Sequence, residues 1–270
     1  VIVHSALSGI TDRLEQLLAK ALTGEWEPVM DQIERRHLDL ARDLGIHIDA
    51  ELDRHFTDLR RSAEGIHLIG EVSDRLRARV MANGELMATR IGAAFLQAEG
   101  IDVQWLDART LLHAEERPGA TVRANYLSAT CNFEPDTAFQ QRLASGGKVL
   151  ITQGFIASDA HGDTVLLGRG GSDTSGSYFA AKLRARRLEI WTDVPGMFTS
   201  NPKSVSNARL LKSLDYDEAQ EIASSGAKVL HPRCILPVKQ YAIPLTVHAT
   251  QQPELEGTVV TATGGDGGAR

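Results

Sequence analysis

The run Leu167-Gly168-Arg169-Gly170-Gly171-Ser172-Asp173-Thr174-Ser175-Gly176 passes from a β-prone stretch, Val165–Leu167, through glycine into a helix-compatible stretch. Two adjacent glycines let the backbone approach an anion closely, and Ser172 or Asp173 is suited to start the following helix. A helix N-terminus fed by such a turn offers unpaired N–H groups and the positive end of a dipole, which suits phosphate or carboxylate. Arg169 adds a planar fork able to hold a carboxylate through two hydrogen bonds. Glycine-rich turns alone are more often plain hairpin ends. The arginine, the Ser-Asp pair and the helix together reverse that preference. No Gly-Lys-Ser/Thr follows, so the run is not a Walker A loop.

Working outward, β-prone runs at Ile101–Leu106, Lys148–Thr152, Leu188–Thr192 and Leu245–Ala249 alternate with helix-compatible stretches. Val165–Leu167 reads as an added strand of a hairpin crossing Asp159–Asp163. This alternation predicts an α/β fold: a mainly parallel, twisted sheet between helical layers. The first hundred residues are mostly helical. Val1–Val3 reads as a short buried strand, and Thr11 and Asp12 as caps of a helix with Leu14, Leu17, Leu18 and Leu22 on one side. Ile33, His37, Leu40, Ala41 and Leu44 recur at helical spacing, as do Leu52, Phe56, Leu59, Ala63 and Ile66, with Gly45 and Gly65 as stops. Another helix is expected to start after Gly84 and end near Gly100. Residues 1–180 and 181–262 are read as two lobes, and the Gly-rich stretch 263–270 as a flexible tail.

Composition bounds the function. A chain of 270 residues with 42% hydrophobic content can bury a sizeable core. Net charge is −6 and no basic block stands out, which argues against nucleic acid as a partner. Cys131 and Cys234 lie far apart with no CxxC spacing, so neither a disulfide framework nor a zinc site is expected, and a reducing, cytoplasmic setting fits. No apolar run approaches the ~20 residues of a membrane helix. Val1-Ile2-Val3-His4-Ser5 lacks the basic start of a signal peptide and reads like the interior of a protein.

Three further segments carry candidate chemistry. In Ile190-Trp191-Thr192-Asp193-Val194-Pro195-Gly196-Met197-Phe198-Thr199-Ser200-Asn201-Pro202-Lys203, a strand delivers polar groups to the carboxyl edge of a sheet, where α/β proteins bind ligands. Phe198 could cover a flat base and Lys203 reach phosphates, although Pro-Gly is an ordinary turn and phenylalanine is more often core. In Ser225-Gly226-Ala227-Lys228-Val229-Leu230-His231-Pro232, Lys228 could meet charge building on a leaving phosphate. Most surface lysines do nothing specific. His231 is more readily a structural histidine than a base. In Asn83-Gly84-Glu85-Leu86-Met87-Ala88-Thr89, Glu85 is read at a helix start, where a carboxylate ordinarily compensates the dipole; the alternative is that it grips a substrate ammonium.

Taken in order, these segments resemble the amino-acid kinase family, and within it the aspartate kinases. Val3-His4-Ser5-Ala6-Leu7-Ser8-Gly9-Ile10-Thr11, Asn83-Gly84-Glu85-Leu86-Met87, Thr152-Gln153-Gly154-Phe155-Ile156, Leu167–Ser175, Trp191–Lys203 and Ser225–Pro232 carry the likeness, from Val1 to about Val260. The resemblance implies that Thr11, Glu85 and Arg169 bind aspartate, with Ser5 beside the reacting groups and Gly170, Gly171 and Ser172 lining the same cleft. It implies that Asp173 is an organiser that hydrogen-bonds lysines. Thr192, Asp193, Phe198, Lys203 and Lys228 would hold ATP, with Lys228 on the phosphates and Mg²⁺ arriving with the nucleotide. L-aspartate and ATP are the expected partners, and a homodimer is allowed.

The family pattern opens with a strand and a loop of the type Lys-Phe-Gly-Gly-Thr-Ser, whose lysine contacts the transferring phosphate. Val1 already matches the second strand, so the expectation is a partial chain or an inactive one. Many members also continue into small regulatory domains, which leaves open an unregulated enzyme, a shortened one, or half of a fusion with an enzyme such as diaminopimelate decarboxylase. Phe198 stands where a tyrosine is common.

Overall fold

The computed structural model describes the chain apart from residues 147, 201–204, 206, 226–228 and 265–270, and apart from the side chains of 49, 145 and 146. It is α/β with mainly parallel strand pairing, and its described strands fall into three sheets. Two compact units can be described separately. The first comprises Val1–Asn132 and Gly147–Ser172, the second Phe133–Gly146 and Asp173–Arg270. These units do not coincide with a division after residue 180.

In the first unit, β1 (Ile2–His4) leads into α1 (Ile10–Ala21), whose buried Ile10, Leu14, Leu17, Leu18 and Ala21 form one apolar stripe. Thr11 and Asp12 do not cap this helix. Gly9, in the left-handed region, occupies the cap position, and both residues lie inside the first turn, where Asp12 faces the positive dipole end. Next come α2 (Glu27–Asp43) and α3 (Asp49–Ile69). Gly65 is internal to α3, which stops instead at left-handed Gly70. The following helix, α4 (Asp74–Ala98), also begins well before Gly84, because Ser73 Oγ accepts from Leu76 N–H as a true N-cap.

The remaining elements of this unit are β2 (Val103–Trp105), α5 (Val122–Leu127), β3 (Val149–Gln153), β4 (Ile156–Ser158) and β5 (Thr164–Leu166). Both β1 and β2 run parallel to the central β3, in register at Val3↔Thr152 and Trp105↔Ile151. As an edge strand of its ladder, β1 leaves Val1 and Ile2 exposed rather than buried. The expected hairpin is present as β4–β5. Asp159 Oδ1 closes its turn, accepting from His161 N–H at 2.9 Å and Asp163 N–H at 2.8 Å.

The second unit holds α6 (Thr137–Gly146), α7 (Gly171–Leu183, which starts at the end of the first unit), β6 (Leu188–Thr192), β7 (Ser213–Asp215), α8 (Tyr216–Ser224), α9 (Ile235–Gln240), β8 (Leu245–Ala249) and β9 (Thr258–Thr261). The strand order is β6-β8-β9-β7, antiparallel only at β8–β9. Ile190, Leu214, Leu245, Val247 and Val260 pack with Ala180, Tyr216, Ala219, Ile235 and Val238 into one core. Ring contacts explain why residues 133–146 and α7 belong here: Phe133 stacks on Tyr178 at 5.6 Å, and Phe139 meets Phe179 edge-on at 6.2 Å. A capping box formed by Asp215 and Glu218 starts α8.

Candidate functional site

Because β1 and β3 are parallel neighbours, their carboxyl ends lie at one edge, with His4↔Gln153 as the last registered pair. Gly154 N–H donates to His4 O at 3.0 Å and ties the two exits together. The start of α7 comes to the same edge. A Cβ on Gly171 would stand 2.6 Å from Phe155 Cδ2 and 3.1 Å from Phe155 Cα, so only glycine permits this approach. Phe155 itself has φ 67°, a left-handed backbone that a bulky residue rarely adopts, held by Leu167 N–H donating to its carbonyl at 2.8 Å.

Glu85 lies beside this edge, in the middle of α4, and the reading of Glu85 as a first-turn residue is corrected. It cannot compensate a helix dipole from there. Its side chain is only 5% exposed, and burial pushes its carboxyl up to about 8. Ala6 N–H donates to Glu85 Oε1 at 3.4 Å, and no ion pair reaches Glu85 among the described residues. The neighbouring Gly84 allows this meeting, since a Cβ there would sit 3.0 Å from Ala6 Cβ. One turn on, fully buried Thr89 fixes the register of α4. Its hydroxyl donates to Glu85 O at 2.8 Å and accepts from Gln153 Nε2 at 2.7 Å and Trp105 Nε1 at 3.0 Å. A buried polar network of this kind leaves the helix little freedom to rotate or slide.

The other first-unit candidates are more open. Ser5 and Thr11 are exposed, in the loop after β1 and in the first turn of α1. Arg169 is exposed and takes part in no ion pair among the described residues. Gly170 has φ 67°, and Ser172 is half-buried at the start of α7. Three cavities, of about 430, 780 and 420 Å³, lie around the β4–β5 hairpin, the start of α4 and the segment 114–129, and none is lined by these residues.

In the second unit, burial raises the Asp173 carboxyl to about 6, partly offset by the His231 backbone N–H, which favours the ionised form. Ser177 O–H donates to Cys234 O at 2.6 Å, so the His231–Cys234 segment is fastened to α7 at two points. Burial and the nearby Asp173 charge push the Cys234 thiol upward. His231 Nδ1 accepts from Arg233 N–H at 3.3 Å, a structural cap as its sequence position suggested. Thr192 ends β6 and donates to Asp193 Oδ1 at 3.2 Å; Asp193 is exposed. Phe198 is half-buried and bridges antiparallel to Leu210. Lys203 and Lys228 lie outside the described residues. Sequence reasoning missed the Ala6 and His231 amides and the backbone of Phe155, which have no side-chain signature.

A buried carboxylate facing the β1 loop and a glycine-started helix at the carboxyl edge of a parallel ladder are features of a small-molecule enzyme of the α/β class. The chain belongs to the amino acid kinase family, whose pattern it matches over residues 1–248. It is 34% identical over 269 residues to the lysine-sensitive aspartokinase 3 of Escherichia coli K12, taking in 96% of this chain and 57% of that protein. With the aspartokinase of Chlamydia pneumoniae it shares 35% identity over 263 residues, 97% of this chain and 56% of the relative. A bifunctional aspartokinase/homoserine dehydrogenase of Buchnera aphidicola is 36% identical over 79% of this chain and 25% of its own length. The chain thus spans between a quarter and somewhat over half of these relatives. The crystal structure of E. coli aspartokinase III with aspartate and ADP matches it with a TM-score of 0.83 at 32% identity, over 96% of this chain and 57% of that one.

Proposed function

We propose that the chain is the catalytic domain of an aspartate kinase, which moves the γ-phosphoryl group of ATP to the β-carboxylate of L-aspartate and gives 4-phospho-L-aspartate. The observation that carries this reading is Glu85, a buried carboxyl that meets only backbone amides, its own and that of Ala6, and no cation among the described residues. Burying an unpaired carboxylate is costly, and a substrate ammonium is the partner it lacks. Arg169, exposed and in no ion pair among the described residues, is assigned to a substrate carboxylate, and Thr11, Gly170, Gly171 and Ser172 are assigned to the same substrate, with Ser5 to the reacting groups. Thr192, Asp193, Phe198, Lys203 and Lys228 are assigned to ATP.

The β-carboxylate of aspartate is already ionised at neutral pH, so no general base is needed. Catalysis requires its oxygen to be aligned with the γ-phosphorus and the crowded negative charge to be neutralised. Lys228 and the N–H groups at the start of α7 supply part of that neutralisation. Mg²⁺ carried by ATP would supply more. Asp173 organises the cationic groups and does not abstract a proton.

The test is ADP release with L-aspartate, compared with L-glutamate, acetylglutamate and UMP, on protein carrying the upstream lysine strand of the family pattern. Aspartate at background would remove the assignment. Arg169→Ala should weaken aspartate affinity roughly tenfold to a hundredfold, the worth of a charged hydrogen bond, with a smaller effect on kcat. An unchanged KM for aspartate would rule out the clamp. Asp173 must be ionised to hold lysines, so kcat/KM should fall on the acid side with a midpoint near 6, and Asp173→Asn should lower the rate and flatten that limb. An acid limb unaltered in Asp173→Asn would assign it to another group.

A further inference from the structure

The segment after β6 is held at one point by a residue far along the chain. Met197 N–H donates to Thr258 Oγ1 at 2.7 Å, and the Thr258 hydroxyl donates to the Leu211 carbonyl at 2.6 Å. Thr258 opens β9 and is wholly buried, as is Met197. Around them, Leu211 N–H donates to Met197 O at 2.8 Å, Thr199 N–H to Arg209 O at 3.0 Å, and Phe198 bridges antiparallel to Leu210. Residues 197–199 and 209–211 therefore form a short two-stranded ribbon, and Thr258 pins both of its sides to the main sheet with a single hydroxyl. Gly196 makes room for this contact, since a Cβ there would collide with Thr258 Oγ1. Valine has the shape of threonine without its donor or acceptor, and at 258 it would leave the buried Met197 N–H with no partner.

We infer that Thr258 is a positioning residue for the nucleotide: it fixes the backbone that presents Phe198, without itself touching ATP. This rests on the reading of Phe198 as a nucleotide-binding residue and extends it to a residue with no local sequence signal. The experiment is calorimetric titration of the full-length protein with ADP, together with steady-state KM values for ATP and aspartate, for Thr258→Val and Thr258→Ser. Thr258→Val is expected to weaken ADP binding and raise the KM for ATP about tenfold, leaving the KM for aspartate within about twofold, while Thr258→Ser stays near the unsubstituted protein. Serine keeps the hydroxyl, so its rescue separates the hydrogen bonds from bulk packing. Thermal melts accompany each variant, and Thr258→Ala replaces Thr258→Val if the latter does not fold. Normal ADP affinity in the hydroxyl-free variant, a parallel loss of aspartate affinity, or a serine variant as weak as valine would each overturn the inference. Failure of the aspartate kinase reading would look different: no aspartate-dependent ADP release from the unsubstituted protein, with ADP binding and its dependence on Thr258 intact.

Discussion

Glu85→Gln is expected to weaken L-aspartate binding about a hundredfold or more while making the ligand-free protein more stable at alkaline pH. The first effect follows from the site. Glutamine keeps the shape and can still accept from Ala6 N–H, but it cannot neutralise an ammonium, and leaving a buried charge unpaired costs about 3–5 kcal/mol. The second follows from proton linkage. The Glu85 carboxyl has an ordinary value of 4.5 and is pushed by burial to about 8 in the folded chain. Between those values the unfolded chain has released a proton that the folded chain keeps, so stability is full below the lower value and is lost as pH rises through the upper one. Glutamine has no proton to lose, and its curve should be flat across that window. Denaturant unfolding at about pH 5 and about pH 9 measures the difference, and aspartate titration measures the affinity. Normal aspartate affinity in the variant would remove Glu85 from the site.

Lys228→Ala is expected to lower kcat by about two to four orders of magnitude with a much smaller change in the KM for aspartate. Transfer between two anions gathers negative charge around the phosphoryl group, and a cation that strengthens its contact as the charge develops acts on turnover more than on ground-state binding. Lys228 lies outside the described residues; the segment His231–Cys234 further along the chain is held to α7. His231 N–H bonds to Asp173 and Cys234 O to Ser177, so this stretch of chain is anchored to the first turns of α7, the helix that begins with Gly171 and Ser172. Lys228→Arg keeps the charge but replaces a compact ammonium by a planar fork, and should recover only part of the rate. A near-normal kcat in the alanine variant would exclude Lys228 from the reaction.

Much of this was legible in the residues, and the exceptions have physical causes. Leu188–Thr192 and Leu245–Ala249 were read to the residue because each gathers β-branched and other apolar or aromatic side chains, Ile190, Trp191 and Thr192 in one and Leu245, Thr246 and Val247 in the other, into a short run. The hairpin at Asp159–Asp163 was legible from its turn chemistry, and the glycine-started helix from Gly170-Gly171-Ser172. Asn83-Gly84 misled: it reads locally as a break, yet α4 runs through it, because the glycine is there to let Ala6 approach and not to end a helix. Strand β7 (Ser213–Asp215) gives three residues with a single apolar side chain, and β9 (Thr258–Thr261) four, too few for a period to emerge. The sequence offers candidate side chains and is silent on the amides. Nothing about Ala6 or His231 announces a donor, since every residue but proline carries one and only the fold decides where it points.

The most direct test of the central claim, that the buried Glu85 waits protonated for an ammonium, is the proton balance of aspartate binding. Calorimetric titrations with L-aspartate at pH 7 in two buffers of different ionisation enthalpy give the number of protons released. The unsubstituted protein should release close to one proton per aspartate bound, as the carboxyl near 8 ionises against the incoming cation, and Glu85→Gln should release none. Equal heats in both buffers for the unsubstituted protein, or the same release from both proteins, would contradict it.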